Sequence, residues 1–387
     1  MRRGLTGRYE ISLSGNEKVR AFVPNALPPD PPLDLSPSGQ LLLERATLAL
    51  GRLDSISLLL PDPDIFLYAY VRREAVLSSQ IEGTQSTFAQ LLLFELDEAP
   101  GVPMDDVVEV SNYVAALNHG LARLNDDFPL SNRLLREMHA RLLRSGRGSD
   151  KTPGEFRRSQ NWIGGTRPGN AHYVPPPPDQ VQNCMAALER YLHDSETQYP
   201  AVIRAALAHV QFETIHPFLD GNGRIGRLLI AFILHHEGVL TQPLLYLSLF
   251  FKQHRDEYYR LLDEVRMDGD WEAWVEFFLE GVAQTAAGAV ETAQRLVALF
   301  KEDEVKIKGL GRIAATTLRA FDVLCKRPLA NLNQISEEAG ISYPTASKRI
   351  ETLIDLGIVR ELTGRRRNRV YAYSRHLEIL NEGTEPL

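Results

Sequence analysis

Apolar residues recur at i, i+3, i+4 and i+7 through most of this chain, and that spacing confines it to a mainly α fold whose helices each bury one stripe. LLLERATLALGRLDSIS (41–57), IFLYAYVRREAVLSSQIEGT (65–84), VVEVSNYVAALNHGLARLN (107–125) and SNRLLREMHARLLRS (131–145) all carry it, the last with Ser131 placed to cap the helix. The pattern resumes at Asp179 and continues with breaks to about Lys301. Two stretches depart from it. FVPNALPPDPPLDLSPSG (22–39) holds too many prolines for a helix, so residues 1–36 are expected to be extended and irregular. SQNWIGGTRPGNAHYVPPPP (159–178) mixes Gly and Pro with β-formers around a Gly-Asn turn and reads as a short β-hairpin.

The chain has 387 residues, more than one ordinary domain. Its last part reads as a separate module. AATTLRAFDVLCKRP (314–328), ANLNQISEEAG (330–340) and SYPTASKRIETLIDLG (342–357) are three helices, the second stopped by Gly340, the third opened by Ser342 and stopped by Gly357. Two strand-like runs around a basic turn follow in IVRELTGRRRNRVYAY (358–373). Three helices then a hairpin is a winged helix-turn-helix pattern. The expected order is therefore an N-terminal segment 1–36, a helical region 37–125, a core 126–299, a linker 300–312 and a winged-helix module 313–380.

A net charge of -7 argues against a protein that coats nucleic acid along its length. The module is locally basic all the same: Lys348, Arg349, Arg360, Arg365, Arg366, Arg367, Arg369 and Arg375 face only Glu351, Asp355 and Glu361. Lys348 on the third helix and Arg365 to Arg367 at the wing tip are the candidate DNA contacts; a module used for protein contact or dimerisation is the other reading. Cys184 and Cys325 are far apart and are expected to be buried thiols rather than a disulfide. With no apolar leader and no long apolar run, the expected setting is cytoplasmic, without a membrane partner.

The chemistry concentrates in HPFLDGNGRIGR (216–227). Pro217 ends the preceding helix and presents His216, the one group there able to take a proton near neutral pH. Gly221-Asn222-Gly223 bends the backbone at the start of the next helix, whose first turn is an anion site. Arg224 and Arg227 are three apart and share a face, as suits a grip on phosphate oxygens; Asp220 is a hard oxygen ligand suited to Mg²⁺. No GxxxxGK[ST] or HExxH occurs. The set fits phosphoryl or nucleotidyl transfer to a hydroxyl.

These residues resemble the complete Fic motif, HPFx(D/E)GNGRxxR, and the resemblance extends over about residues 20–290. It implies a helical core with a β-hairpin flap and transfer of AMP from Mg²⁺-ATP to a protein hydroxyl. It implies His216 as base, Asp220 as the Mg²⁺ ligand, and the segment Gly221, Asn222, Gly223, Arg224, Ile225, Gly226, Arg227 around the phosphates. It likewise implies the flap at Ile163, Gly164, Gly165 and Thr166, where a target segment within 160–174 docks, and Tyr258 beside adenine, whereas Tyr259, Trp271, Trp274 and His209 read as packing residues. SSQIEG (78–83) matches the family's inhibitory pattern as Ser78, Glu82 and Gly83. A carboxylate there could pair with Arg227 and displace the γ-phosphate. Relatives carrying such a brake include some that use the Glu to remove AMP, and relief of the brake often involves assembly, so a homodimer is expected. A nucleotide-sensing transcription regulator, or a kinase or phosphocholine transferase on the same scaffold, remain as other readings.

Overall fold

The computed structural model describes residues 1–14, 17–59, 63–96, 104–194, 196, 199–365 and 367–385. A hairpin of β1 (Gly7–Ser14) and β2 (Glu17–Pro24) precedes helices α1 (Pro37–Leu59), α2 (Pro63–Ile81), α3 (Phe88–Glu95) and α4 (Met104–Asn125). Then come α5 (Asn132–Leu142), α6 (Pro178–Leu192), α7 (Ala201–Ile215), α8 (Asn222–His236), α9 (Ser248–Gln253), α10 (Arg255–Asp268) and α11 (Trp271–Lys308). The C-terminal part runs α12 (Ala314–Lys326), β3 (Leu329–Asn331), α13 (Leu332–Glu338), α14 (Tyr343–Asp355), β4 (Val359–Glu361), β5 (Val370–Tyr373) and α15 (Ser374–Asn381). The fold is mainly helical, as the apolar spacing requires.

The chain divides into two compact units: Met1–Asp54 with Asn112–Ala286, and Ser55–Ser111 with Ala287–Leu387. In the first, α7 and α8 pack side by side at the centre, against α5, α6, α10 and β2. AVIRAALAHVQFETI is apolar on nearly every side, and Val202 to Ile215 are all buried. Trp274 lies in the same core and donates its indole N–H to Ala206 O at 2.9 Å. Close packing of α7 on α8 depends on Gly226, where a Cβ would lie 2.3 Å from Glu213 Oε1.

The N-terminal segment is more ordered than its prolines suggest. Residues 7–24 form an antiparallel pair registered Gly7↔Pro24 through Ser14↔Glu17. Burial of Val19, Ala21, Phe22 and Val23 on β2, ahead of the prolines, anchors the pair. Val19 and Ala21 of β2 pack on Val174, and Phe22 N–H donates to Val174 O at 2.9 Å.

In the second unit the three expected helices and the hairpin are present, joined by one more strand. The sheet order is β3–β5–β4, all antiparallel, with Leu329↔Ala372 and Val359↔Tyr373 in register. Phe321, Leu324, Ile335, Ile350, Leu353 and Tyr373 form its core, together with Leu299 and Ile307 of α11. That helix runs to Lys308, through most of the segment expected to be a linker. Asn331 and Gln334 close a capping box on α13, and Gly340 (φ 58°) and Gly357 (φ 70°) make the turns around α14. Within this unit α2 packs against α12 and α15. Gln80 Nε2 donates to Ser86 O (2.9 Å) and Thr384 O (2.8 Å), so the end of α2 is tied to the C-terminal residues.

Candidate active site

Helix α7 stops where Pro217 requires it to. His216 N–H still donates to Phe212 O, but His216 itself turns left-handed at φ 49°, ψ 60°. A side-chain-bearing residue rarely holds that conformation unless its surroundings dictate it. The imidazole is thereby carried off the helix end onto a loop, partly exposed. Gly221 (φ 77°) caps α8, which begins at Asn222, so the first-turn N–H groups of α8 project from the turn.

The loop between these helices is braced by its own side chains. Asn222 Oδ1 accepts from Phe218 N–H (2.8 Å) and Asn222 Nδ2 donates to Phe218 O (2.9 Å). Asp220 Oδ1 accepts from Gly221 N–H (2.6 Å) and from Arg224 Nη2 (3.3 Å). Arg224 and Arg227 are buried at 0% and 4% exposure, Ile225 and Gly226 are buried beside them, and Gly223 is partly exposed. A carboxylate, a glycine-capped helix start and a buried guanidinium thus converge within residues 220–224. Gly148 makes room for the carboxylate: at φ +82°, a Cβ there would lie 2.7 Å from Asp220 Oδ2.

A second layer, which the motif does not contain, holds the loop from outside. His139 of α5 is fully buried and stacks on Phe218 with ring centroids 3.8 Å apart. Its Nδ1 accepts from Gly154 N–H (2.8 Å), so the proton sits on Nε2, which donates to Asp220 O (2.9 Å). Burial, reinforced by the Arg224 charge and opposed by the Asp220 carbonyl, pushes its pKa down to about 4, so it is neutral at pH 7. Arg157 reaches the His216 carbonyl and Asn161 Nδ2 reaches Phe218 O (3.0 Å). His139 was legible in principle, since Leu135, Met138, His139 and Leu142 form one buried stripe; Arg157 lies in a loop and had no such signal.

His209 is the packing residue expected. Its Nδ1–H donates to Gly226 O (2.8 Å) and its Nε2 accepts from Tyr258 O–H (2.9 Å), and burial lowers its pKa to about 3. Trp271 and Trp274 are likewise buried. Tyr259, expected to pack inside, lies at the surface instead. Tyr258 is 1% exposed and packed among Phe251, Trp274 and Tyr259, while Tyr259 is 39% exposed.

The flap has one two-bond bridge rather than a full hairpin: Ile163 N–H to Tyr173 O (2.8 Å) and Tyr173 N–H to Ile163 O (3.1 Å). Gly164 and Gly165 turn left-handed, and Asn170 Oδ1 accepts from Thr166 and Arg167 N–H. Thr166 and Gly165 are exposed. In the second unit Ser78 is buried, Glu82 is partly exposed just past the end of α2, and Gly83 has φ 98°. Lys348 and Arg367 are exposed and Arg365 is partly buried; Arg366 lies outside the described residues. Cys184 and Cys325 are buried and unbridged, as expected.

The fold and loop define a helical protein that presents a histidine beside a glycine turn and a helix start. Residues 40–122 match the Fic/DOC family N-terminal model and residues 129–234 match the Fic/DOC family model. The chain thus carries a Fic/DOC N-terminal region and a Fic/DOC region. It is 33% identical over 209 residues to the protein adenylyltransferase Fic of Drosophila yakuba, covering 53% of this chain and 39% of that protein. Against the Aedes aegypti protein of the same name the identity is 34% over 214 residues, with the same coverage. The matched region thus spans about two fifths of the length of these curated relatives. A Fic family protein from Desulfovibrio desulfuricans shares the fold with a TM-score of 0.58 at 22% identity, over 88% of this chain and 97% of that one. A Fic domain containing signaling protein from Bacteroides thetaiotaomicron does so with a TM-score of 0.52 at 21% identity, over 65% and 97%.

Proposed function

We propose that this chain transfers AMP from ATP to a hydroxyl of a target protein and of itself. The observation that carries the reading is the assembled loop: His216 held at a left-handed helix cap, and Asp220 and Arg224 meeting at the start of α8. The target hydroxyl attacks the α-phosphorus, its proton passes to His216, and pyrophosphate leaves. Gly221, Asn222 and Gly223 offer backbone to the phosphates, and Arg224 and Arg227 offset the charge that develops on pyrophosphate. Among the described residues no group of three or more His, Cys, Asp or Glu forms a metal cage. A single carboxylate, Asp220, fits Mg²⁺, which takes few protein ligands and fills its shell with phosphate oxygens and water. The relatives' name, protein adenylyltransferase, supports the same class of reaction.

The target docks on the 160–174 flap, in a cytoplasmic setting. Glu82, with Ser78 and Gly83, restrains the transfer, and removal of AMP at the same site is the alternative outcome for that Glu; relief of the restraint through homodimer formation belongs to the same reading. The test is incubation of wild type, Glu82→Gly and His216→Ala with Mg²⁺ and ATP labelled at the α- or the γ-phosphate, with intact mass alongside. Expected are α-label and one added AMP in Glu82→Gly, less in wild type and none in His216→Ala. Transfer of γ-label, or labelling in His216→Ala equal to Glu82→Gly, would refute the reading.

A second reading concerns the C-terminal module as a winged helix on DNA. Exposed Lys348, Arg367 and Tyr343 along α14 and the β4–β5 turn favour it. A salt-sensitive gel shift lost on changing Arg365, Arg366 and Arg367 to Ala would support it; no shift with any duplex would favour a protein-contact module.

A further inference from the structure

Arg157 is a buried cation of the first unit to which the transfer reaction assigns no role. It is 2% exposed, and no carboxylate pairs with it among the described residues. Instead its guanidinium serves main-chain carbonyls. Nε donates to His216 O (2.9 Å), Nη2 to Pro176 O (2.6 Å) and Ile215 O (3.4 Å), and Nη1 to Ser159 O (3.4 Å). Its own N–H donates to Pro217 O (2.9 Å). Three of those oxygens, on Ile215, His216 and Pro217, belong to the end of α7 and the two residues after it. The other two, on Ser159 and Pro176, flank the flap at its entry and exit.

We propose that Arg157 is the positioning residue for His216: a cation that caps the C-terminal end of α7, holds the histidine in its left-handed turn and ties that turn to both ends of the flap. This rests on the reading of His216 as the base. A helix C-terminus favours a cation, and the last carbonyls of a helix need donors from elsewhere. A buried cation without an acid partner is costly, and burial holds this guanidinium at about 10, below its ordinary value. That cost is tolerated where the geometry it enforces is needed. Only arginine fits the task, because its planar fork sends donors in several fixed directions, whereas lysine donates from one point. The phosphate-side loop has separate braces in Asn222 and His139, so loss of Arg157 misplaces the base and leaves the anion site intact.

The test uses the full chain with Glu82→Gly as background and Arg157→Lys and Arg157→Met as variants. Three quantities are read: kcat and KM for ATP in AMP transfer, ATP affinity by calorimetry, and the His216 ring signal in ¹H–¹³C NMR, assigned by its absence in His216→Ala. Expected is a kcat loss of about a hundredfold, the scale for an ångström of misplacement, greater in Met than in Lys. KM for ATP and ATP affinity should stay within about threefold, on the basis that phosphate binding is uniform to both, and the His216 signal should shift or broaden in both variants. An unchanged kcat relative to the Glu82→Gly background with an unmoved His216 signal in Arg157→Lys would overturn the proposal, as would a loss of ATP affinity equal to the loss of kcat. If the Glu82→Gly background itself transfers no AMP, the functional reading fails, and the NMR signal still decides the role of Arg157. If Arg157→Met does not fold, Arg157→Lys carries the test.

Discussion

His139 should make the unit that carries the loop sensitive to acid, by an amount its surroundings fix. Folded, burial holds it at about 4; unfolded, it titrates near its ordinary 6.5. Between those values the unfolded chain takes up a proton that the folded chain refuses. Stability is therefore complete above about 6.5 and falls as pH drops toward 4. From pH 7 to pH 5 one such histidine costs about 2 kcal/mol. His139→Gln removes this titration while keeping an amide able to donate to Asp220 O. It also loses the acceptor for Gly154 N–H and the stack on Phe218, a pH-independent cost of about 2–4 kcal/mol. Urea unfolding followed by tryptophan fluorescence reads the right unit, because Trp162, Trp271 and Trp274 all lie in it. His209 titrates in both proteins and cancels. The stability gap between wild type and His139→Gln should narrow by about 2 kcal/mol on going from pH 7 to pH 5. An equal gap at both pH values would show that His139 is not held neutral by burial, and the tautomer argument that places its proton on Nε2 would lose its support.

Three further outcomes follow from single contacts. Tyr258→Phe leaves buried His209 Nε2 without its donor and should cost about 1–3 kcal/mol in the same urea assay, whereas Tyr259→Ala should stay within about 0.5 kcal/mol; the reverse order would return Tyr259 to the core. Gly226→Ala puts a Cβ 2.3 Å from Glu213 Oε1 and should cost about 1–3 kcal/mol; an unchanged urea midpoint would mean that the Glu213 carboxylate swings aside without cost. Gln80→Leu strips the donor from Ser86 O and Thr384 O and should speed amide deuterium exchange across 78–86; unchanged exchange there would show that the C-terminal residues do not hold the end of α2.

What the sequence made legible follows from the range over which each cause acts. Helices announce themselves through neighbours three and four residues away, so nearly all of α1 to α14 could be read, as could the His216 cap, which Pro217 enforces from the next position. The N-terminal hairpin is not legible locally, because β2 is anchored on Val174, far along the chain. Tyr258 and Tyr259 show how the same spacing sorts two adjacent rings. On α10, Tyr258, Leu261, Leu262 and Val265 form an i, i+3, i+4, i+7 stripe and are all buried, so the spacing itself placed Tyr258 inside and Tyr259 out.

Arg157 could not be read at all, since its partners lie 19 residues away at Pro176 and 59 at His216 and only the fold brings them together. His139 falls between these cases. It occupies an apolar-stripe position on α5, where a polar residue must find partners once buried, and those partners prove to be the loop bearing Asp220. His209 on α7 obeys the same logic toward Gly226. Both histidines are polar members of apolar stripes, and both end on the backbone of residues 220–226. Burying an imidazole costs stability unless a carbonyl and a donor await it, so such a residue marks a place where the backbone position matters more than the packing does. His139 and His209 obey that rule, and the backbone they hold is the loop and first turns of α8 that the histidine, aspartate and arginine motif identifies by its chemistry.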